Sequence, residues 1–489
     1  MSLLGIDVGT TGCKAAVFSV DGQLMAQAYR EYSSSYPFPG WVELDSTSVW
    51  LKIKAVISEV VMATAGDPVA ALCISSMGEA ATPVSADRQI LGPCILSSDS
   101  RGQETIDRLV DKFGKAGFYD LNPNILIGPN YTLPKLLWLK EHEPDLYDKA
   151  DKFLLWDGLV GFLLGCEPFV SYSLANRTLL FDIRKEEWSE PLLQFAGISP
   201  DKLPCCLPSG AIAGTVSDIM AGELGLPRGV KVVVGGHDQC CNALGAGVFK
   251  SGRAVDGIGT YECLTPVYGH IPPTGDMLRY SLNAEHHVVE GLYASFIYNQ
   301  SGSLVRWFRD TFASADRDLP DVYDRLAAEM PAEPTDLLVL PLFEMTGPPG
   351  FLPGGAGSIH GLKLSTRRGE IYKAVLEGAT FYFMESMEAL RDMGVDTSEF
   401  VATGGGAQSD AWLQIKADIF NVPFIRPKVT EAGLLGAAMI AGVALGVLGT
   451  LSEAVERFVI PDRAFEPNVR RYAIYAQRRE KYRQLLAGS

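Results

Sequence analysis

The opening of the chain limits its fold more than any other segment. Residues 2–22 are "SLLGIDVGTTGCKAAVFSVDG", in which a glycine turn at 9–12 separates the apolar runs Leu3–Val8 and Cys13–Val20. The following Asp21-Gly22 is typical of a β-hairpin turn. A Rossmann opening and a Walker phosphate loop both need a helix directly after the glycine turn. Because a strand pattern follows here, the segment predicts a strand–turn–strand unit with Asp7 beside the turn.

Strand and helix patterns alternate along the rest of the chain. Residues 230–236 have a buried strand pattern. Residues 254–268 have a hairpin pattern with glycines at its corner, which forms a weak internal repeat of the opening. Helical patterns cover Ser46–Thr64, Ser100–Lys115, Pro134–Lys149, Glu370–Met393, Gln408–Ile419, Glu431–Leu445 and 470–486. This alternation predicts an α/β fold with mixed sheets.

The length predicts two domains, because a single hydrophobic core rarely organises a chain of 489 residues. The patterns place the boundary near residues 245–255 and divide the chain into domains 1–248 and 249–489.

Charge and cysteine content exclude several classes of function. The formal net charge of −16 argues against a nucleic-acid partner, because binding to phosphates needs clustered Lys and Arg. Nine cysteines without a C-x-x-C spacing, and a start without signal-peptide features, favour a reduced, cytoplasmic protein. Residues 432–451 carry no charge and are long enough to span a membrane. Their five glycines favour a closely packed buried helix instead, so we expect no membrane partner.

The motif "GGHDQCCNALGAG" at 235–247 contains the leading catalytic candidate, Asp238. Asp238 follows a buried strand, and open α/β sheets bind ligands at strand ends. The alternative is that Asp238 is only a helix N-cap. A metal cluster is disfavoured, because the adjacent Cys240 and Cys241 point in different directions on a helix. We expect these two cysteines to pack in the core.

Three glycine turns could bind phosphate: "DVGTTG" at 7–12, "GIGT" at 257–260 and "GGGAQS" at 404–409. Glycines leave backbone N–H groups free to face phosphate oxygens. Each turn taken alone could equally be an ordinary tight turn. Asp7 would repel a phosphate unless a cation lay between them, and Mg²⁺ is the usual cation in such a place.

Longer motifs link the chain to a known family. They are "NYTLPKLLWLKEHEP" (130–144), "GSIHGLKLSTRRGEIYKAVLEG" (357–378) and "ATGGGAQSDAWLQIKADIFNVPF" (402–424). In this order and spacing they resemble the signatures of the FGGY carbohydrate kinases, and most closely of those that phosphorylate D-xylulose, over the full length of the chain.

The resemblance implies an α/β protein of two actin-like (ribonuclease-H-like) domains flanking a deep cleft, with ATP mainly on the C-terminal domain and the sugar mainly on the N-terminal one. It implies that Asp238 is the catalytic base and that Asp7 positions Mg²⁺. The implied ATP-binding residues are Gly9, Thr10, Thr11, Lys14, Gly259, Thr260, Gly405, Gly406, Ala407 and Asp410. The implied substrate residues are Met77, Glu79, Asp99 and Arg101, together with Asp238.

The expected function is transfer of the γ-phosphate of ATP to a hydroxyl of a ketose or polyol, first of all a pentulose such as D-xylulose. Glu79 stands where D-xylulose kinases have His, and Ser97 stands where they have Trp. Another polyol, a hexulose or an aldonate, including glycerol- and gluconate-like substrates, therefore stays open. So do two readings of another class, a non-catalytic actin-like module and a sensor that binds sugar without turnover. The resemblance also suggests a homodimer.

Overall fold

The computed structural model of the protein describes residues 1–429 and 431–488. Two compact units form, and neither is a continuous piece of chain. Unit 1 comprises Met1–Phe249, Asn283–Ala294 and Glu431–Ile460, and unit 2 comprises Lys250–Leu282, Ser295–Thr430 and Pro461–Ser489. The chain first passes from unit 1 to unit 2 between Phe249 and Lys250, which is where the boundary was predicted. Two later segments of the chain, however, return to unit 1. The division into domains 1–248 and 249–489 stays a prediction.

The strands are β1 (Ser2–Val8), β2 (Gly12–Ser19), β3 (Leu24–Glu31), β4 (Glu43–Leu44), β5 (Val69–Ser76), β6 (Thr82–Val84), β7 (Cys94–Ile95), β8 (Lys152–Leu154), β9 (Phe169–Ser171), β10 (Phe181–Asp182), β11 (Glu187–Trp188), β12 (Cys205–Leu207), β13 (Ile212–Thr215), β14 (Lys231–His237), β15 (Arg253–Ile258), β16 (Tyr261–Tyr268), β17 (Glu285–His286), β18 (Tyr293–Ala294), β19 (Ile297–Gln300), β20 (Leu338–Leu340), β21 (Ser358–His360), β22 (Glu399–Thr403), β23 (Phe424–Pro427) and β24 (Pro461–Phe465).

The helices are α1 (Ser46–Ala63), α2 (Gln103–Leu121), α3 (Thr132–His142), α4 (Pro144–Lys149), α5 (Trp156–Leu164), α6 (Tyr172–Asn176), α7 (Glu190–Ala196), α8 (Asp218–Leu224), α9 (Asp238–Gly245), α10 (Thr274–Arg279), α11 (Gly302–Phe312), α12 (Val322–Ala328), α13 (Arg368–Asp392), α14 (Asp410–Phe420), α15 (Ala432–Ala444), α16 (Leu451–Phe458) and α17 (Val469–Ala487). Short 3₁₀ helices cover Pro200–Lys202 and Gly405–Gln408.

The central sheet of unit 1 has the order β13–β14–β5–β1–β2–β3. β1, β2 and β3 form the antiparallel meander predicted from the opening segment, and Gly22 supplies the positive φ of 82° at the second turn. β5 lies parallel to both β1 and β14. The three parallel strands are apolar on both faces and lie in the core, as strands covered on both sides require.

The uncharged segment 432–451 belongs to unit 1 and is mostly buried as far as Gly442. Its helix, α15, ends at Ala444, and no helix in the described ranges is long and apolar enough to cross a membrane. α15 lies so close to α9 that a Cβ at Gly245 would overlap the carbonyl oxygen of Ala432. A Cβ at Gly436 would likewise overlap the carbonyl oxygen of Cys241. Gly436 therefore serves close backbone packing, as predicted, whereas a Cβ at Gly446 would meet no atom within 4 Å.

Unit 2 is built on a second mixed sheet, in which the order β16–β15–β22–β23–β24 is continuous and β19 pairs with β16. β15 and β16 form the predicted hairpin around residue 259. β22 runs parallel to β15 and leads into the 3₁₀ turn that precedes α14. This arrangement brings two of the predicted glycine turns to one end of the sheet.

One predicted helix is wrong. The periodicity over Pro134–Lys149 is divided between α3 and α4, because Glu143 leaves helical geometry at φ −130°. Pro144 begins the next helix, since proline disfavours a helical conformation in the residue before it.

Candidate functional site

The site in unit 1 begins where three parallel strands end at one edge of the sheet. Asp7 on β1 is in register with Ser75 on β5, and Ser76 is in register with His237 at the end of β14. Asp238 follows directly as the first residue of α9. The carboxyl ends of parallel strands are where open α/β sheets bind ligands. Strand register alone therefore gathers Asp7 and Asp238 from opposite ends of unit 1's first segment.

Asp7 is a carboxylate held in a poorly hydrated place. The Ser75 hydroxyl donates a hydrogen bond of 2.8 Å to Asp7 Oδ1. Burial, followed by the negative charge of Asp238, raises the pKa of Asp7 from 3.8 to about 7. A bound cation would relieve both effects. Mg²⁺ commonly uses only one or two protein carboxylates and fills its other positions with water and phosphate. The oxygen donors at this edge therefore fit Mg²⁺.

Asp238 is the accessible carboxylate of this edge, with about a third (33%) of its side chain exposed. The N-cap of α9 is His237, whose Nδ1 accepts a hydrogen bond of 3.2 Å from the Gln239 backbone N–H. The N-cap alternative for Asp238 is therefore wrong. Cys240 and Cys241 are fully buried, and no group of three or more metal-ligating side chains exists within residues 1–429 and 431–488.

His237 is a neighbour of Asp238 that the sequence analysis did not use. Its Nδ1 lies 2.9 Å from Asp238 Oδ1. Burial lowers the pKa of His237, but the adjacent Asp238 carboxylate outweighs burial, so the net shift is upward. The same nitrogen cannot accept from Gln239 and donate to Asp238 at once, so the two contacts compete.

The glycine turn at 9–12 exposes the side chains of Thr10 and Thr11. Gly9 N–H donates to the Gly12 carbonyl at 3.0 Å and closes the turn. Lys14, on β2, does not extend alone from this turn. Its ammonium contacts both carboxylate oxygens of Glu431, at 2.8 and 3.1 Å. Glu431, which immediately precedes α15, was not predicted as a site residue.

The segment after β5 carries two predicted substrate residues. Met77 is buried, and its N–H donates to the Val8 carbonyl at 2.8 Å. Glu79 has a left-handed backbone, with φ 64°, which is costly for a residue other than glycine. The Thr132 hydroxyl holds this conformation by donating to the Glu79 carbonyl at 2.7 Å. Such strain, maintained by a specific contact, is typical of functional positions.

The Glu79 side chain leads to two residues that the sequence analysis missed. Arg177 Nε donates to Glu79 Oε1 at 2.6 Å, and Arg177 Nη1 donates to Glu285 Oε1 at 2.6 Å. Arg177 follows α6, and Glu285 is on β17 in the returning segment Asn283–Ala294. Arg177 is 98 residues from Glu79 and 108 residues from Glu285 in the sequence, so no spacing pattern connects the three positions.

Asp99 and Arg101 are bonded mainly to each other. Arg101 Nη2 contacts Asp99 Oδ2 and Glu43 Oε1, each at 2.7 Å. Its guanidinium also lies over the rings of Trp41 and Trp138, at 3.9 and 4.8 Å from their centroids. The role of Asp99 and Arg101 as substrate residues stays a prediction. Their contacts favour a structural role, since both side chains are nearly fully buried.

Two predicted nucleotide turns meet within unit 2. Gly404 has φ 83°, and a Cβ there would press on the backbone of Ile258, the residue before Gly259. A Cβ at Gly406 would overlap the Ile258 side chain. Gly405 and Gly259 are exposed, as is Thr260, whereas Ala407 is buried beneath the turn. The close approach of the two turns explains why glycines are required there.

Asp410 begins α14 and is half exposed. Arg426 Nη1 donates to Asp410 Oδ1 at 2.8 Å, and Arg463 contacts Asp410 Oδ2. The negative charge of Asp410 is therefore compensated beside the turn predicted to bind adenosine. That binding role stays a prediction.

A buried ion cluster below the "GIGT" turn was also missed. Lys416 on α14 lies 3.0 Å from Asp256 and 2.5 Å from Glu262, and all three side chains are fully buried. Asp256 precedes the turn on β15 and Glu262 follows it on β16. Burial, with the Glu262 charge second, raises the pKa of Asp256 to about 8. The cluster ties α14 to both strands of the hairpin.

Comparison with known proteins assigns the family. The N-terminal domain of the FGGY family of carbohydrate kinases matches residues 2–245, and the C-terminal domain matches residues 274–445. The chain therefore belongs to the FGGY family of carbohydrate kinases, which are ATP-dependent phosphotransferases with an alcohol group as acceptor.

Individual members of that family are similar to nearly the whole chain. It is 30% identical to a xylulose kinase of Bacillus subtilis (strain 168), with 96% of this chain and 94% of the relative covered. It is also 30% identical to a glycerol kinase of Bordetella parapertussis, with 95% and 92% covered. The crystal structure of xylulose kinase from Rhodospirillum rubrum superposes with a TM-score of 0.91 at 25% identity, covering 100% of this chain and 99% of that one. The predicted family, fold class and enzyme class are confirmed.

Proposed function

We propose that this protein transfers the γ-phosphoryl group of ATP to a hydroxyl of a ketose or polyol, with a pentulose such as D-xylulose as the first candidate. The observation that carries the proposal is the position of Asp238, an accessible carboxylate at the end of β14 next to the desolvated Asp7. Family membership supplies the reaction class, and this carboxylate supplies a group that can act on an alcohol.

Asp238 acts as the general base. Its carboxylate accepts the proton of the sugar hydroxyl as the oxygen attacks the terminal phosphorus. Such proton acceptance contributes about 10²–10⁴ in rate. The base need not be strong, because phosphoryl transfer passes through a loose transition state in which positioning and charge stabilisation dominate.

The remaining residues position the nucleotide. The Gly9 backbone, Thr10 and Thr11 bind phosphate oxygens, as do Gly259 and Thr260. Gly405, Gly406, Ala407 and Asp410 line the adenosine. Asp7 would hold Mg²⁺, which would supply charge neutralisation at the transferred phosphoryl group. Lys14 reaches the phosphates only by exchanging its contact with Glu431.

Two further properties belong to the same proposal. None of the nine cysteines, all of which lie in the described ranges, forms a disulfide, which is consistent with action in the reducing cytoplasm. A homodimer is the proposed assembly, and light scattering on the purified protein tests it.

The decisive experiment compares wild type with Asp238→Asn on a panel of ketoses, polyols and aldonates with ATP and Mg²⁺. We expect wild type to phosphorylate a neutral sugar and the variant to lose about 10²–10⁴ in kcat. Nucleotide affinity, measured by titration calorimetry, should stay unchanged, because asparagine keeps the shape of the side chain. Near-normal turnover by the variant would remove Asp238 as the base.

A further inference from the structure

Arg177 is surrounded by acceptors on several sides. Besides its bonds to Glu79 and Glu285, its Nη1 donates to Asn124 Oδ1 at 2.9 Å, and its guanidinium lies 4.8 Å from the Tyr131 ring centroid. Burial opposes the charge of Arg177, but the two carboxylates outweigh it, so its pKa is raised. The guanidinium is a permanent cation whose charge is already compensated by the protein.

Glu285 is the firmly fixed partner. Its side chain is only 1% exposed, and Asn283 Nδ2 donates to the same Oε1 at 2.5 Å. Asn176 Nδ2 donates to Oε2. Both oxygens are therefore occupied, and Glu285 contributes charge to the cluster without offering an oxygen to a ligand.

Glu79 is less completely buried than Glu285. Its Oε1 takes the Arg177 contacts, whereas its Oε2 has no hydrogen-bond partner within the described part of the chain, and 10% of the side chain is exposed. Arg177 therefore orients Glu79 and leaves one carboxylate oxygen able to accept a hydrogen bond from a hydroxyl.

Gly78 connects this cluster to the catalytic carboxylate. A Cβ at Gly78 would lie 3.0 Å from His237 Nε2 and 3.4 Å from Arg177 Cγ. The His237 ring and the aliphatic part of the Arg177 side chain therefore both lie beside Gly78. His237 Nδ1 in turn lies 2.9 Å from Asp238 Oδ1. His237 therefore lies between this cluster and Asp238, the group that would receive the substrate's proton.

The charges at this edge sum to a negative value. One guanidinium faces two carboxylates, and Asp238 and Asp7 add further acidic groups. Lys14, the cation on β2, is paired with Glu431. An anionic substrate would meet like charges without an uncompensated cation in the cluster, whereas a neutral sugar needs only hydrogen-bond partners. Juxtaposed like charges weaken binding.

We propose that the cluster of Glu79, Arg177 and Glu285, in which two carboxylates outnumber one guanidinium, determines specificity: it restricts this site to uncharged ketoses and polyols and rejects aldonates. The inference rests on the proposed function, because it assumes that the edge carrying Asp238 binds the sugar. It selects among the substrates that the sequence left open.

The test measures equilibrium binding of D-xylulose and D-xylonate by titration calorimetry without nucleotide. These ligands have five carbons each: D-xylonate carries a carboxylate at C1 and a hydroxyl at C2, where D-xylulose has a hydroxymethyl group and a carbonyl. We expect wild type to bind D-xylulose at least about tenfold more tightly. Glu285→Gln keeps the side-chain shape and an acceptor for Arg177 but removes one negative charge. It should therefore reduce the ratio of the D-xylonate Kd to the D-xylulose Kd by about tenfold. Glu290→Gln, an exposed position in the same returning segment, removes the same charge and should leave the ratio unchanged.

Glu79→Gln provides a second variant at an accessible position, and it should also shift the ratio toward D-xylonate while weakening D-xylulose binding. The inference is overturned if wild type binds D-xylonate as tightly as D-xylulose, if it binds neither, or if Glu285→Gln changes both affinities equally. Selective binding of D-xylulose without any phosphoryl transfer would instead contradict the proposed function and leave the selectivity in place.

Discussion

At the scale of single residues, the site is defined by carboxylates in unequal surroundings. Asp7 is desolvated and bonded to Ser75, whereas Asp238 is partly exposed to solvent. Glu285 is buried and saturated with hydrogen bonds, whereas Glu79 keeps one oxygen available. The same functional group can therefore serve to hold a cation, accept a proton, or set the local potential, because its environment fixes what it can do.

Asp7→Asn should stabilise the protein in the absence of metal at alkaline pH. The pKa of Asp7 is raised from 3.8 to about 7, so the stability contributed by its protonated form is complete below pH 3.8 and lost as the pH rises through about 7. Asparagine keeps the oxygen that accepts from Ser75 but carries no charge. At pH 8 the free energy of unfolding should therefore rise by roughly 2 kcal/mol, with a smaller gain at pH 5.

Thermal unfolding without Mg²⁺ at both pH values measures this effect. Asp87→Asn is the matched control, because Asp87 also accepts from a serine hydroxyl but is exposed. The same variant of Asp7 should raise the KM for Mg·ATP while leaving sugar affinity unchanged. A loss of stability at pH 8, or weakened sugar binding with normal Mg·ATP use, would contradict the assignment of Asp7.

At the scale of elements, the position of Asp238, the proposed catalytic base, depends on how closely two helices pack. α9 begins with Asp238 and ends with Gly245, which lies against the backbone of α15 at Ala432. Gly5 of β1 makes a similar approach to the backbone of Leu434. Because no side chain separates these backbones, the position of α9 relative to β1, and hence of Asp238 relative to Asp7, is set by contacts that only glycine permits.

Gly245→Ala should therefore destabilise the protein and impair turnover. The new methyl group would overlap the Ala432 carbonyl, and overpacking of this kind costs about 1–3 kcal/mol. Gly222→Ala on α8 is the matched control, since a Cβ there meets no atom within 4 Å. This control should stabilise by up to about 1 kcal/mol through helix propensity. Equal effects of the two substitutions on unfolding by denaturant would refute the packing argument.

At the scale of the whole molecule, the chain leaves unit 1 at Phe249 and returns to it twice, through Asn283–Ala294 and Glu431–Ile460. The first return supplies Glu285, and the second supplies Glu431 and α15. Unit 1, including the cluster of Glu79, Arg177 and Glu285, is thus completed by residues distant in sequence. The fold cannot be cut at one position without removing part of the site.

Residues 1–249 expressed alone should fail to fold cooperatively. Without α15, the buried faces of β1 and α9 lose the helix that packs against them. Fusing residues 431–460 to this fragment through a flexible linker should restore a cooperative thermal transition, because it returns the missing helix. Near-ultraviolet circular dichroism during heating measures the outcome. A sharp transition in residues 1–249 alone would show that α15 is dispensable.

The sequence by itself determined the local geometry, the family and the residues carried by its motifs. The opening meander, the hairpin around residue 259 and the helix with Asp238 at its start each follow from patterns within about 25 residues, where chain connectivity fixes the contacts. A signature set in order and spacing identified an FGGY carbohydrate kinase. The single helix predicted over 134–149 is wrong because Pro144 is a local signal for the start of a new helix.

Only the tertiary structure decided which side chains meet. Arg177 joins Glu79 and Glu285, and Lys416 joins Asp256 and Glu262, across separations of about 100 residues or more. Such pairs have no periodicity in the sequence, because their proximity arises from strand order and from the segments that return to unit 1. Asp99 and Arg101 are only two positions apart, but the fold also brings Glu43 and the rings of Trp41 and Trp138 to Arg101 from other parts of the chain.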